Sequence, residues 1–139
     1  MQTEVFLDTS YAIALAASTD QNHARAIVLA NELDRANTRL ITTHAVLFEI
    51  GNSLARLRYR SAAVTLLTSI ENDYRVAVIA IDGSLYAKGR ELFEQRLDKE
   101  WSLTDCCSFI AMRERNLTEA LTADRHFVQA GFDALLLSP

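Results

Sequence analysis

The chain has 139 residues, half of them hydrophobic and 23% charged, with a formal net charge of −4. That length supports one domain over residues 1–139, with a core that needs no metal or disulfide staple. Four Gly and one Pro leave little room for a flexible linker or a loop-rich all-β fold, and the acidic balance argues against a broad basic nucleic-acid surface.

In chain order, Glu4 to Leu7 reads as a short buried strand, and Asp8, Thr9 and Ser10 as the turn into an Ala- and Ile-rich helix, Tyr11 to Ala17. Thr19 to Asn22 is a loop that can cap a second helix, His23 to Ala36. Arg39 to Thr43 is a β-branched strand, and Thr43 or His44 opens a helix running through Leu57. Ser61 to Asp73 keeps a helical period, with Ala62, Leu66, Leu67 and Ile70 on one side.

Arg75 to Ile81 is the plainest strand. Asp82 and Ser84 then cap a helix to about Leu97, and a further helix runs from Thr104 to Arg115. Leu117 to Thr122 reads as a strand, Asp124 to Ala130 as a short helix ended by Gly131, and Ala134 to Leu137 as the last strand. Short apolar strands alternating with helices predict an α/β fold, a central parallel sheet covered on both faces. Ligands in such sheets bind beyond the carboxyl ends of the strands, at a topological switch point.

The two cysteines, Cys106 and Cys107, are adjacent, so a structural disulfide between them is geometrically disfavoured. They read as small apolar residues on a buried helix in a reducing compartment. The first ten residues have no basic stretch or long apolar run, and no segment reaches transmembrane length. A soluble cytoplasmic protein with no membrane partner is the expectation.

Four acids stand where these elements would deliver them to one spot. Asp8 closes the apolar run Val5-Phe6-Leu7, and Asp124 follows Ala120-Leu121-Thr122. Glu49 and Asp105 lie within helical segments, Asp105 in a first turn otherwise followed by apolar residues. Asp8, Asp105 and Asp124 each have an ordinary alternative role as helix cap or first-turn acid, and Glu49 can be a surface residue beside an apolar stripe. Convergence of all four would instead make a divalent-metal site, because a buried acid is costly unless paired or bound to a cation. Asn52 shares a helix side with Glu49, and Thr122 has a hydroxyl to offer the same site.

Other chemistries lack their motifs. There is no nucleophile-elbow, dinucleotide or phosphate-loop signature. His23, His44 and His126 are too scattered for a metal triad and read as capping or surface residues. Phe6-Leu7-Asp8-Thr9-Ser10 superficially suggests an aspartyl-nucleophile phosphatase, which would want a second acid where Ser10 stands. Twelve of the fourteen basic residues are Arg, clustering at Arg56, Arg58 and Arg60 and again at Arg113 and Arg115. Solvated helix ends account for them as well as phosphate contact does.

The ordered segments FLDTSYAIAL, Asp20-Gln21-Asn22-His23-Ala24, FEIGNSLAR, WSLTDCCSF and LTADRHFVQAGF span essentially the whole chain. As a set they resemble PIN-domain proteins, most of all the VapC-type ribonuclease toxins of bacterial toxin–antitoxin pairs. The resemblance implies a three-layer α/β/α sandwich and a cleft for Mg²⁺ or Mn²⁺ held by Asp8, Glu49, Asp105 and Asp124, with Thr9, Ser10, Asn52, Ser102 and Thr122 as supporting polar groups. It also implies an RNA substrate, a small antitoxin partner and a homodimer. Arg56, Arg58, Arg60 and Arg113 are the residues expected to reach the RNA backbone. Two other readings stand beside this one: a PIN-like module that binds RNA or a partner without turnover, and a nuclease acting on DNA or structured nucleic acid.

Overall fold

The computed structural model describes residues 2–138. Five strands, β1 (Glu4–Leu7), β2 (Arg39–Thr43), β3 (Val76–Ile79), β4 (Glu119–Leu121) and β5 (Asp133–Ala134), pair in the order β3-β2-β1-β4-β5. Every pairing is parallel. The helices are α1 (Thr9–Ala16), α2 (His23–Ala36), α3 (His44–Ser53), α4 (Leu57–Asn72), α5 (Gly83–Gln95), α6 (Leu103–Glu114) and α7 (Arg125–Gln129). They flank the sheet as an α/β/α sandwich, as parallel strands require, since each crossover must travel over a face.

β1 is the central strand, and its Val5, Phe6 and Leu7 are buried, as are Ile41 of β2 and Ala120 and Leu121 of β4. The aromatic part of the core gathers between α6, α7 and these strands. Phe109 meets Trp101 and Phe127 edge-on, both at 5.0 Å between ring centres, and Phe127 reaches Phe6 at 6.2 Å. Edge-to-face contacts of this kind add to the area that the rings bury. The buried thiols Cys106 and Cys107 lie on α6.

Three helices end on a left-handed residue, Asn37, Asn116 or Gly131. After α7 the Gly131 N–H reaches the Val128 carbonyl and the Phe132 N–H the Phe127 carbonyl, both at 3.0 Å. This paired arrangement satisfies the last orphan carbonyls and turns the chain into β5.

The largest departures from the sequence reading fall at three boundaries. The helix expected to run through Leu57 stops at Ser53, and α4 begins at Leu57 rather than Ser61. No Gly or Pro marks this break; Leu54 leaves the helical conformation and Arg56 is extended. The turn resets the phase of α4, which buries Ala63 and Ile70 and leaves Ala62 exposed. The last strand is Asp133–Ala134 rather than Ala134 to Leu137. The Leu135 and Leu136 N–H groups still reach the Ala120 and Thr122 carbonyls, and the Leu137 N–H then turns back to the Ala134 carbonyl, which ends the ladder.

α5 and α6 approach closely at Gly89. A Cβ there would lie 2.5 Å from the Cys107 Sγ and 3.2 Å from its backbone N and Cα. Gly89→Ala should therefore destabilise the fold by about 1–3 kcal/mol through overpacking, despite the better helix propensity of Ala. Urea unfolding tests this, and Cys107→Ala in the same chain should recover part of the loss. Unchanged or raised stability would contradict the close packing.

Candidate active site

β1 and β4 are neighbours whose connections lead to opposite sides of the sheet, β1 toward β2 and β4 toward β5. A crevice opens at the carboxyl ends of strands at such a switch point. The Asp8 N–H donates to the Leu121 carbonyl at 3.2 Å, so the segments leaving β1 and β4 enter this crevice side by side.

Asp8 holds the N-cap position of α1, yet its side chain makes no capping hydrogen bond. Its Oδ2 instead accepts from the Thr122 hydroxyl at 2.7 Å. Thr122 has one hydroxyl proton, so across the 3.1 Å Ser10–Thr122 contact it is Ser10 that donates. Ser10 in turn accepts from the Ala123 N–H at 2.9 Å. This relay ties both strand ends to one carboxylate.

Asp8 is only 5% exposed. Burial pushes its pKa up to about 7; hydrogen bonds from Thr122 and the Thr9 backbone oppose the rise, and the charges of Glu49 and Asp105 add to it. Glu49, on α3, accepts from the Thr9 hydroxyl. Burial raises its pKa, the Thr9 bond opposes this, and the charges of Asp105 and Asp124 raise it further. Mutual repulsion of this kind requires the four carboxylates to share a neighbourhood.

Asp105 forms a reciprocal capping box at the start of α6. Its N–H donates to the Ser102 Oγ at 3.0 Å, and its Oδ2 accepts from the Ser102 N–H at 3.1 Å. Asp124 caps α7 through the His126 N–H at 2.8 Å, while its own N–H donates to Thr122 at 3.0 Å. The helix-end roles and the shared site thus coexist for Asp105 and Asp124.

The cleft at this point has a volume of about 330 Å³, with Asp8, Thr9, Ser10, Asp20, Glu49 and Asp124 on its wall. Glu49 also borders an adjoining groove of about 320 Å³, with Phe48, Asn52 and Thr104. Asp105 is not on the cleft wall; it is 7% exposed and meets the others through the His126 imidazole. Arg56, Arg58, Arg60 and Arg113 are exposed, and none lines the cleft or the groove. A separate, mostly apolar cavity of about 270 Å³ beside Tyr11, Leu66 and Ile70 has a charge pair on its wall, Arg75 with Asp34 at 2.7 Å.

Among the described residues no Lys or Arg pairs with any of the four acids. A buried carboxylate with a raised pKa and no basic partner is chemically suited to a cation. Asp105, Asp124 and His126 each offer a ligand atom, all within 4.8 Å of one another. The donors are hard oxygens and one imidazole nitrogen, a set compatible with a divalent ion.

The PIN domain family matches this chain over residues 5–133. The chain belongs to the PIN-domain family. The matched span of this PIN domain contains all four acids. Its fold is similar to that of VapC20 of Mycobacterium tuberculosis, a sarcin–ricin loop cleaving toxin, with a TM-score of 0.80 and 28% identity over 92% of this chain and 95% of that one. FitAcB of Neisseria gonorrhoeae shares the fold at a TM-score of 0.63 and 16% identity, over 94% of both chains. No curated protein matched the chain.

Two residues beside the acids of this PIN domain carry more than the sequence predicts. Asp20, part of a capping loop and of a segment that carries the family resemblance but with no site role expected, lines the cleft beside Asn22 and accepts from its N–H at 2.8 Å. His126, read as a capping or surface residue, places its Nδ1 3.0 Å from the Asp105 Oδ2. The available signal was its position two residues after an acid that caps a helix, which folds the imidazole back over that first turn.

Proposed function

We propose that this PIN domain is a metal-dependent endoribonuclease that hydrolyses RNA phosphodiesters as the toxin of a toxin–antitoxin pair. The observation that carries the reading is the set of four mutually repelling carboxylates, without Lys or Arg partners, at the switch point. The likeness to a toxin that cleaves the sarcin–ricin loop supports RNA as the substrate class.

Asp8, Glu49, Asp105 and Asp124 would hold Mg²⁺ or Mn²⁺. A divalent ion there supplies Lewis acidity toward a phosphoryl oxygen and lowers the pKa of a water. Thr9 orients Glu49, Ser10 and Thr122 orient Asp8, and Ser102 fixes Asp105. Asn52 borders the groove through which RNA would leave Glu49. The exposed Arg56, Arg58, Arg60 and Arg113 would meet the RNA backbone away from the cleft.

Phe48, Leu57 and Val64 are 72%, 92% and 59% exposed. Apolar groups of that size in solvent suit protein contacts, and we assign these exposed residues of α3 and α4 to contacts with a second copy of the chain or a small antitoxin. No helix among the described residues is long and apolar enough to cross a membrane, which agrees with a site of action in the cytoplasm.

The test uses the purified full chain with labelled single-stranded RNA, tRNA and duplex DNA, with Mn²⁺, with Mg²⁺ and with chelator. RNA should be cut only when the ion is present. Cleavage that ignores chelator, or that favours DNA, would overturn the reading, and RNA binding without turnover would replace it with a binding module.

A further inference from the structure

We infer that the His126 imidazole is a nitrogen ligand on the Asp105–Asp124 side of the site, so that the site favours a divalent first-row transition ion over Mg²⁺. The inference rests on the metal reading proposed above and adds to it a residue and an ion class.

The geometry supplies the argument. Nδ1 of His126 lies 3.0 Å from the Asp105 Oδ2 and 3.4 Å from the Asp124 Oδ1. Two adjacent ligand atoms of an octahedral ion with bonds of about 2.1 Å lie about 3.0 Å apart. Nδ1 therefore stands at nearly the spacing of an adjacent ligand from each of the two carboxylate oxygens, and the three residues offer ligand atoms within 4.8 Å of one another. Local structure holds this arrangement. The His126 N–H is fixed to the Asp124 Oδ1, and Asp105 is locked by Ser102.

The proton balance is simple. A neutral imidazole binds an ion through Nδ1 with its proton on Nε2. In the absence of an ion, the same ring can carry the proton on Nδ1 and donate to Asp105. Imidazole nitrogen adds affinity for transition ions and little for Mg²⁺, which prefers oxygen ligands.

The competing role is positioning, in which His126 merely donates a hydrogen bond to Asp105. His126→Asn separates the two, because an Asn side-chain N–H can occupy the place of Nδ1 without ligating through nitrogen. Pulsed EPR of Mn²⁺ bound to the full chain should show ¹⁴N modulation in the native protein and none in His126→Asn. The Mn²⁺ dissociation constant should rise roughly 10- to 100-fold in the variant, at least the effect of losing an outer-shell partner. Mg²⁺ affinity, measured by competition, should change far less.

Bound Mn²⁺ without nitrogen modulation in the native chain would overturn the inference. So would modulation that persists in the variant, or equal losses for the two ions. A native chain that binds no Mn²⁺ would overturn the metal reading itself, an outcome distinct from the others. The native spectrum alone decides the matter should the variant fail to fold.

Discussion

Asp8→Asn should lower the rate of RNA cleavage by about 10²–10³-fold while leaving the fold intact. The substitution keeps the size of the side chain and an oxygen that can still accept from the Thr122 hydroxyl, which now bonds Oδ2 at 2.7 Å. What it removes is the negative charge at the end of β1. A charge that helps hold a catalytic ion accounts for several kcal/mol of transition-state stabilisation, and each 1.36 kcal/mol is tenfold in rate. A loss of about 3–4 kcal/mol gives the stated range. Cleavage of labelled RNA at saturating Mn²⁺ measures it, with circular dichroism to check folding. Glu49→Gln should act in the same direction, since Glu49 faces the same cleft and its Thr9 hydrogen bond can survive. A rate for Asp8→Asn within fivefold of the native value would remove Asp8 from the catalytic set.

The readability of the site in the sequence depended on how local its determinants are. Short buried strands announce themselves through composition, so the positions just after β1 and β4 could be found, and with them Asp8 and Asp124. The parallel order followed from the alternation of helices and strands. The role of the Asp8 side chain was different. Locally it is a well-placed N-cap, and its shortest hydrogen bond comes from Thr122, 114 residues away. No pattern near Asp8 reveals the Thr122 contact. Asp105 and Asp124 posed a false choice, because one carboxylate can cap a helix and face its neighbours together.

The misses have the same origin. The break at Leu54 to Arg56 lacks Gly and Pro, and the side of α4 that turns inward depends on packing that periodicity cannot phase across a hidden turn. Three histidines scattered along a chain make no triad, so nothing local marks His126. Its partners turned out to be carboxylates, one of them two residues away and the other on a different helix.

With metal removed, the chain should be more stable at pH 5 than at pH 8, and Asp8→Asn should flatten that dependence. The sign follows from Asp8, whose pKa moves from 3.8 to about 7 on folding. Between those values the folded chain keeps a proton that the unfolded chain has released, so stability falls as pH rises. The penalty is absent below the unfolded value and complete above the folded one. At 1.36 kcal/mol per pKa unit its full size is on the order of 4 kcal/mol, and Glu49, raised by the same causes, acts in the same direction. Other perturbed groups lie outside this window. The Arg96 hydrogen bond holds Asp98 down at about 2, and burial pushes the Cys106 thiol up to about 11. Mn²⁺ at a hundred times its dissociation constant should restore about 2.7 kcal/mol. It should restore more at pH 8 than at pH 5, because protons compete with the ion for the same carboxylates. Urea midpoints across this pH range, in chelator and in Mn²⁺, measure both trends. A midpoint in chelator that stays level or climbs with pH would mean that Asp8 does not carry the buried, unpaired charge on which the proposed metal site depends.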